Sequence, residues 1–281
     1  MAIDWEVEYN NRARVPEHPQ IFERWERDAA AYRAETGKDG RAEIGLKYGA
    51  SPRQTIDLFK PRDGAADTGR LALFIHGGYW RSLEPSSFSQ MARGMNARGV
   101  TVAVCGYDLC PQVSIGDIIR QTQAACLFLW KRFNRRIMVS GHSAGGHLAA
   151  CMVATDWKAL DPAAPADLAP TGYAISGLYD LSVLLHLSGN ADFKLDATEA
   201  RRISPLFWPV ARGRVFDAVV GGQESSEFLR QSKIIAEGWR EKGVETRYEA
   251  IAGLNHFTSC DPMTDPSSAM TKRLVELAER T

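Results

Sequence analysis

Ile137-Met138-Val139-Ser140-Gly141-His142-Ser143-Ala144-Gly145-Gly146-His147 runs from an apolar stretch through a Gly-x-Ser-x-Gly into a segment rich in Ala and Leu. The order predicts a strand, a tight turn, and a helix over Ser143–Thr155. Small residues let such a turn close, so that the serine hydroxyl projects above a sheet. The helix behind it offers free N–H groups and a positive dipole end to a developing oxyanion. Ser143 is therefore the candidate nucleophile, with the N–H of Ala144 as one oxyanion donor.

Working outward, apolar β-rich runs separated by turn residues predict strands at Ile44–Tyr48, Thr55–Phe59, Leu71–Ile75, Val100–Tyr107, Ile137–Ser140, Gly172–Ser176, Val215–Val220 and Arg247–Ile251. Helical patterns occupy Pro85–Arg98, Ile115–Phe133, Ser226–Lys242 and Pro266–Arg280, with a charged helix at about 18–36. Strands alternating with helices of this length read as crossover units on a largely parallel sheet, so the fold class is α/β. A short connection makes the first two strands an antiparallel edge hairpin. The expectation is one domain over residues 1–281, with an N-terminal helical extension at about 1–40 and a cap at about 180–212, where the rhythm breaks.

Leu73-Phe74-Ile75-His76-Gly77-Gly78-Tyr79-Trp80 supplies a second strand end. Alone, paired glycines mean a tight turn; beside a serine elbow, Gly77 and Gly78 become the remaining oxyanion donors, since no Cβ blocks a substrate carbonyl. A serine needs a base, and the order Ser…acid…His leaves His256, in Asn255-His256-Phe257. His142 and His147 flank the elbow as local hydrogen-bonding groups, and His76 orients its own loop. The acid belongs at the end of the preceding strand. Glu224 in the loop beyond Val220 fits best; Asp217 lies within the strand, and Asp180 is the fallback.

Composition excludes other classes. The chain has 281 residues, 44% apolar and 24% charged, with 34 basic and 34 acidic side chains. Zero formal charge argues against nucleic-acid or anionic-membrane binding. The apolar runs are strand-length, too short to span a bilayer. Five cysteines without a CxxC pair suggest neither a zinc site nor a disulfide framework, and they suit a reducing, cytoplasmic compartment. No metal or cofactor is expected.

His-Gly-Gly-Tyr-Trp at 76–80, Gly-His-Ser-Ala-Gly-Gly-His at 141–147, Gly-Gln-Glu-Ser-Ser-Glu-Phe at 222–228 and Asn-His-Phe at 255–257, with Tyr48-Gly49 and Asp57-Leu58-Phe59 upstream, resemble the kynurenine formamidase (arylformamidase) branch of the α/β-hydrolases. The resemblance runs from about Tyr9 to the C-terminus. It implies an α/β-hydrolase fold of about eight mostly parallel strands, and removal of a formyl group from an aromatic amine by Ser143, Glu224 and His256. Animal members usually carry aspartate where this chain has Glu224; a longer carboxylate can serve the same role. Tyr79, Trp80, Trp208 and Phe257 are the expected aromatic pocket for a small aromatic amide or ester. The alternatives are a carboxylesterase using the same machinery and a non-catalytic binding protein on the same fold. A homodimer is compatible with the sequence.

Overall fold

In the computed structural model, which describes residues 3–61 and 67–281, eight strands form one sheet in the order β1-β2-β4-β3-β5-β6-β7-β8. They are β1 Ala42–Lys47, β2 Thr55–Phe59, β3 Arg70–Ile75, β4 Val100–Cys105, β5 Met138–His142, β6 Thr171–Ile175, β7 Val215–Gly221 and β8 Glu245–Ile251. β1 and β2 pair antiparallel as the expected edge hairpin, and β2 pairs antiparallel with β4. From β4 to β8 every pairing is parallel.

The inner strands β3 to β7 are almost wholly buried and largely apolar because helices cover both faces of the sheet there. Side chains alternate between two cores. Leu71, Leu73, Ile75 and Val139 pack with Ile115, Leu148 and Phe228, which come from the helices Ile115–Phe133, Ala144–Ala154 and Ser226–Glu241. Ala72, Phe74, Val102 and Met138 pack on the other side with Trp25, Tyr32, Leu274 and Leu277, from His18–Lys38 and Ala269–Glu279. The N-terminal helix thus covers part of the sheet. β8, at the edge, carries exposed Glu245 and Arg247 and half-buried Glu249, charges that discourage edge-to-edge pairing. Among the described residues no helix is long and apolar enough to cross a membrane.

The helix expected over Pro85–Arg98 divides into a 3₁₀ run, Pro85–Ala92, and one α-turn, Arg93–Asn96. Ser89 Oγ bonds the Ser86 carbonyl and Gln90 Nε2 the Ser87 carbonyl, local bonds that compete with the i−4 ladder. Segment 180–212 is a series of short helices: Leu181–His186, Asn190–Phe193, Ala197–Arg202 and Pro205–Phe207.

The chain leaves β3 for β4 on one side and returns as β5 on the other. The carboxyl ends of β3 and β5 therefore flank the crevice where strand order reverses, the usual ligand position in an open α/β sheet. Gly77–Gly78 and Ser143 lie at these two ends.

Candidate active site

Ser143 sits between β5 and its helix with φ 56° and ψ −118°, a conformation costing on the order of 1–3 kcal/mol for a residue bearing a Cβ. Its N–H donates to the Ile175 carbonyl at 2.8 Å, tying the turn to β6. A Cβ on Gly145 would lie 1.9 Å from the Ile75 carbonyl oxygen, and one on Gly141 2.2 Å from the Gly145 carbonyl oxygen. Backbone is the obstacle in both cases, so both glycines of the Gly-x-Ser-x-Gly are dictated by close approach.

The His256 ring bridges the two other residues. Its Nε2 lies 3.1 Å from Ser143 Oγ and its Nδ1 2.6 Å from Glu224 Oε2. All three side chains are buried. The other Glu224 oxygen accepts from the Gly221 N–H at 2.7 Å and from Ser176 Oγ at 2.5 Å. Ser176 Oγ is also 3.1 Å from Ser259 Oγ, and Ser259 donates to the His256 carbonyl at 2.9 Å. Ser176 and Ser259 were not foreseen. The available signal was Ser176-Gly177 at the end of a buried strand next to β5, where Ser176 also adopts a positive φ of 54°.

The two other carboxylates lie in different surroundings. Asp217 is buried against Arg273 of the C-terminal helix, with its oxygens 2.8 Å from Nε and 3.1 Å from Nη2. Asp180 caps the Leu181–His186 turn, accepting from the N–H and hydroxyl of Ser182.

Three buried histidines bond backbone carbonyls, two of them beside the site and one in the 180–212 segment. His142 donates through Nε2 to the His256 carbonyl at 2.7 Å; burial, then the neighbouring His256 ring, lowers its pKa to about 3. His147 donates to the Ile203 carbonyl, and burial lowers its pKa to about 4. His76, stacked between Phe88 and Tyr107, donates through Nδ1 to the Gly77 carbonyl at 2.7 Å; burial again takes its pKa to about 4. Pulling the Gly77 carbonyl toward His76 turns the N–H of Gly78, in the same planar peptide, the opposite way. Gly78 needs its φ of 107°, and a Cβ there would meet the Ser82 carbonyl oxygen at 2.2 Å. The N–H groups of Gly77 and Gly78 donate to no carbonyl among the described loop hydrogen bonds, and that of Ala144 opens its helix, where intrahelical acceptors are lacking.

A cavity of about 480 Å³ opens over Ser143 and His256, with Gly78, Tyr79 and Phe257 in its wall. Two of the four expected pocket aromatics lie elsewhere. Trp80 is fully buried, edge-on to His147 and Phe193, because a positive φ at both Tyr79 and Trp80 turns the chain inward. Trp208 packs against the edge of the core that holds Leu148 and Phe228, and its indole N–H donates to the Arg202 carbonyl at 2.7 Å. The wall includes instead Phe22, Trp25, Phe193 and residues of the N-terminal segment, among them Glu6, Tyr9, Asn11 and Arg12. That segment is docked from both sides. Glu8 accepts from Ser226 Oγ and the Glu227 N–H at the start of the Ser226–Glu241 helix, while Trp5 stacks on His186 at 5.2 Å. Tyr79 reaches across to donate to the Tyr9 carbonyl at 2.7 Å. Local helical periodicity could predict those N-terminal turns but not where they dock.

A sequence profile of the alpha/beta hydrolase fold matches residues 72–259, which include every residue of the Ser143, Glu224 and His256 constellation. The chain is similar to kynurenine formamidase of Danio rerio, 26% identical over 240 residues, covering 83% of this chain and 80% of the relative. It is similar to kynurenine formamidase of Drosophila melanogaster, 27% identical over 79% of this chain and 77% of that protein. Among solved structures, a Silicibacter protein provisionally labelled a thioesterase superposes with a TM-score of 0.86 at 32% identity, covering 98% of this chain and 100% of that one.

Proposed function

The chain belongs to the α/β-hydrolase fold family, on its arylformamidase branch, and from that membership we propose that it removes the formyl group of an N-formyl aromatic amine of the N-formyl-kynurenine type. The observation that carries the proposal is the His256 ring, placed between Ser143 Oγ and Glu224 Oε2 beneath a cavity with aromatic walls.

The geometry supports the following sequence. Ser143 Oγ attacks the formyl carbon while His256 Nε2 takes its proton. Glu224 accepts from Nδ1–H, selecting the tautomer that leaves Nε2 free, and stabilises the imidazolium. The carbonyl oxygen becomes an oxyanion among the N–H groups of Gly77, Gly78 and Ala144, which are fixed before the reaction begins. His256 then returns the proton to the anilide nitrogen, the C–N bond breaks and the amine leaves. Water, losing its proton to His256, attacks the formyl ester; formate departs and Ser143 regains its hydrogen.

In this reading residues 1–281 act as one domain, with 180–212 as its cap, and Tyr79 and Phe257 contact the substrate ring. The buried, unpaired thiols suit a cytoplasmic setting. The test is a steady-state comparison of N-formyl-kynurenine with short p-nitrophenyl esters. The proposal expects the formamide to have the higher kcat/KM; clear preference for the esters would move the chain to the carboxylesterase reading.

A further inference from the structure

The chemistry just described uses residues at the ends of strands. The wall supplied by the N-terminal segment carries polar groups that hydrolysis does not require. Asn11 is 4% exposed, lines the cavity, and has no hydrogen-bond partner for either Nδ2 or Oδ1 among the described residues. A buried amide unpaired on both atoms is rare in folded proteins and calls for a ligand that both donates and accepts.

Two charges from the same segment also face this cavity. Arg12 lies with its guanidinium carbon 5.7 Å from the Phe22 ring centroid and enters none of the ion pairs among the described residues. Glu6 accepts from the Ser188 N–H and likewise has no cationic partner there. The other charged pair at the cavity, Arg81 and Asp192, is already matched at 2.8 Å. Among the described residues at this cavity, a cation outside any ion pair, an anion with no cationic partner and an orphan amide are the complement of a zwitterion.

We propose that Arg12, Asn11 and Glu6 are specificity-determining residues that recognise the α-amino-acid head of the substrate, at the end remote from the scissile bond. Arg12 and the Asn11 Nδ2 take the α-carboxylate; Glu6 and the Asn11 Oδ1 take the α-ammonium. Arg12, resting on an aromatic face, has a planar fork suited to a carboxylate. The inference rests on the formamidase reading for the identity of the group removed, but the head-group contacts can be measured without turnover.

Calorimetric titration of the intact enzyme with kynurenine and with its decarboxylated amine isolates the carboxylate. Wild type should bind kynurenine roughly 10-fold or more tightly than the amine, the scale of a charge-assisted hydrogen bond. Arg12→Gln should bring the two ligands within about twofold and Arg12→Lys should restore part of the difference, whereas Glu6→Gln should weaken both, since both carry the ammonium. Equal affinities in wild type, no binding of kynurenine, or equal loss for both ligands in Arg12→Gln would overturn the assignment. Hydrolysis of N-formyl-kynurenine without a head-group preference removes this subsite alone. A preference that depends on Arg12, without formamide hydrolysis, removes the formamidase reading and leaves the subsite standing.

Discussion

Glu224 uses both carboxylate oxygens, one on His256 and one on Gly221 and Ser176, so its charge and its aim are fixed together. Glu224→Gln keeps the size but places an amide where two acceptors are required. It should lower kcat by roughly a thousand-fold or more, measured as formate release, with the unfolding midpoint little changed. Asp180→Asn should leave kcat within about tenfold, because its carboxylate serves a turn. Asp217→Asn should do the same to kcat yet cost about 1–2 kcal/mol of stability, by weakening the charge-assisted bonds from the partly exposed Arg273. A crippled Asp180 or Asp217 variant beside a normal Glu224→Gln would reassign the acid. All five thiols are buried and free, and burial pushes Cys105 up to about 12 and Cys110 to about 11. The thiolate is the reactive form, so iodoacetamide at neutral pH should leave activity unchanged over hours; rapid inactivation without unfolding would contradict this. The Ser143–His256 pairing was legible because a strand–turn–helix serine and a histidine beyond the last strand are local patterns. Ser176 and Ser259 reach the site only through strand pairing and a loop, which no local pattern reports.

At the scale of elements, inner-strand positions were legible because two-sided burial writes unbroken apolar runs, and β3, Arg70–Ile75, contains the expected Leu71–Ile75. Aromatic identity carried less. Tyr79 and Trp80 are adjacent and chemically alike, yet one lines the cavity and the other is core, a choice made by backbone dihedrals. Trp208→Phe should therefore leave KM within about twofold, whereas Phe257→Ala should raise it, since a large buried aromatic surface is lost from the wall. The N-terminal segment contributes to that wall and is held by Glu8 on the Ser226–Glu241 helix. Glu8→Ala should raise KM several-fold with kcat within about twofold, the pattern of lost substrate positioning rather than lost chemistry. Equal falls in kcat and kcat/KM would show that the segment supports the catalytic residues themselves.

Across the whole molecule, three histidines folded in the neutral state couple stability to pH. His76, His142 and His147 have pKa values lowered by burial to about 4, 3 and 4, against 6.5 for the free side chain. Between pH 6.5 and these folded values the unfolded chain binds more protons, so stability is fully present above about pH 6.5 and falls as pH drops through the window. Each histidine contributes up to about 1.4 kcal/mol per pH unit there. The urea midpoint should drop between pH 7.5 and about 5, and His147→Gln should shallow the slope; a midpoint constant over that range would contradict the assignment. Two of them, His76 and His142, hold the backbone of Gly77 and His256 beside Ser143, which joins global stability to the site. The central claim is that this scaffold presents Ser143 as the nucleophile for an aryl formamide. It is tested most directly by the initial rate of formate release from N-formyl-kynurenine in wild type and in a folded Ser143→Ala variant. The account predicts turnover by wild type and a loss on the order of a million-fold in the variant; retention of even a tenth of the rate would contradict it.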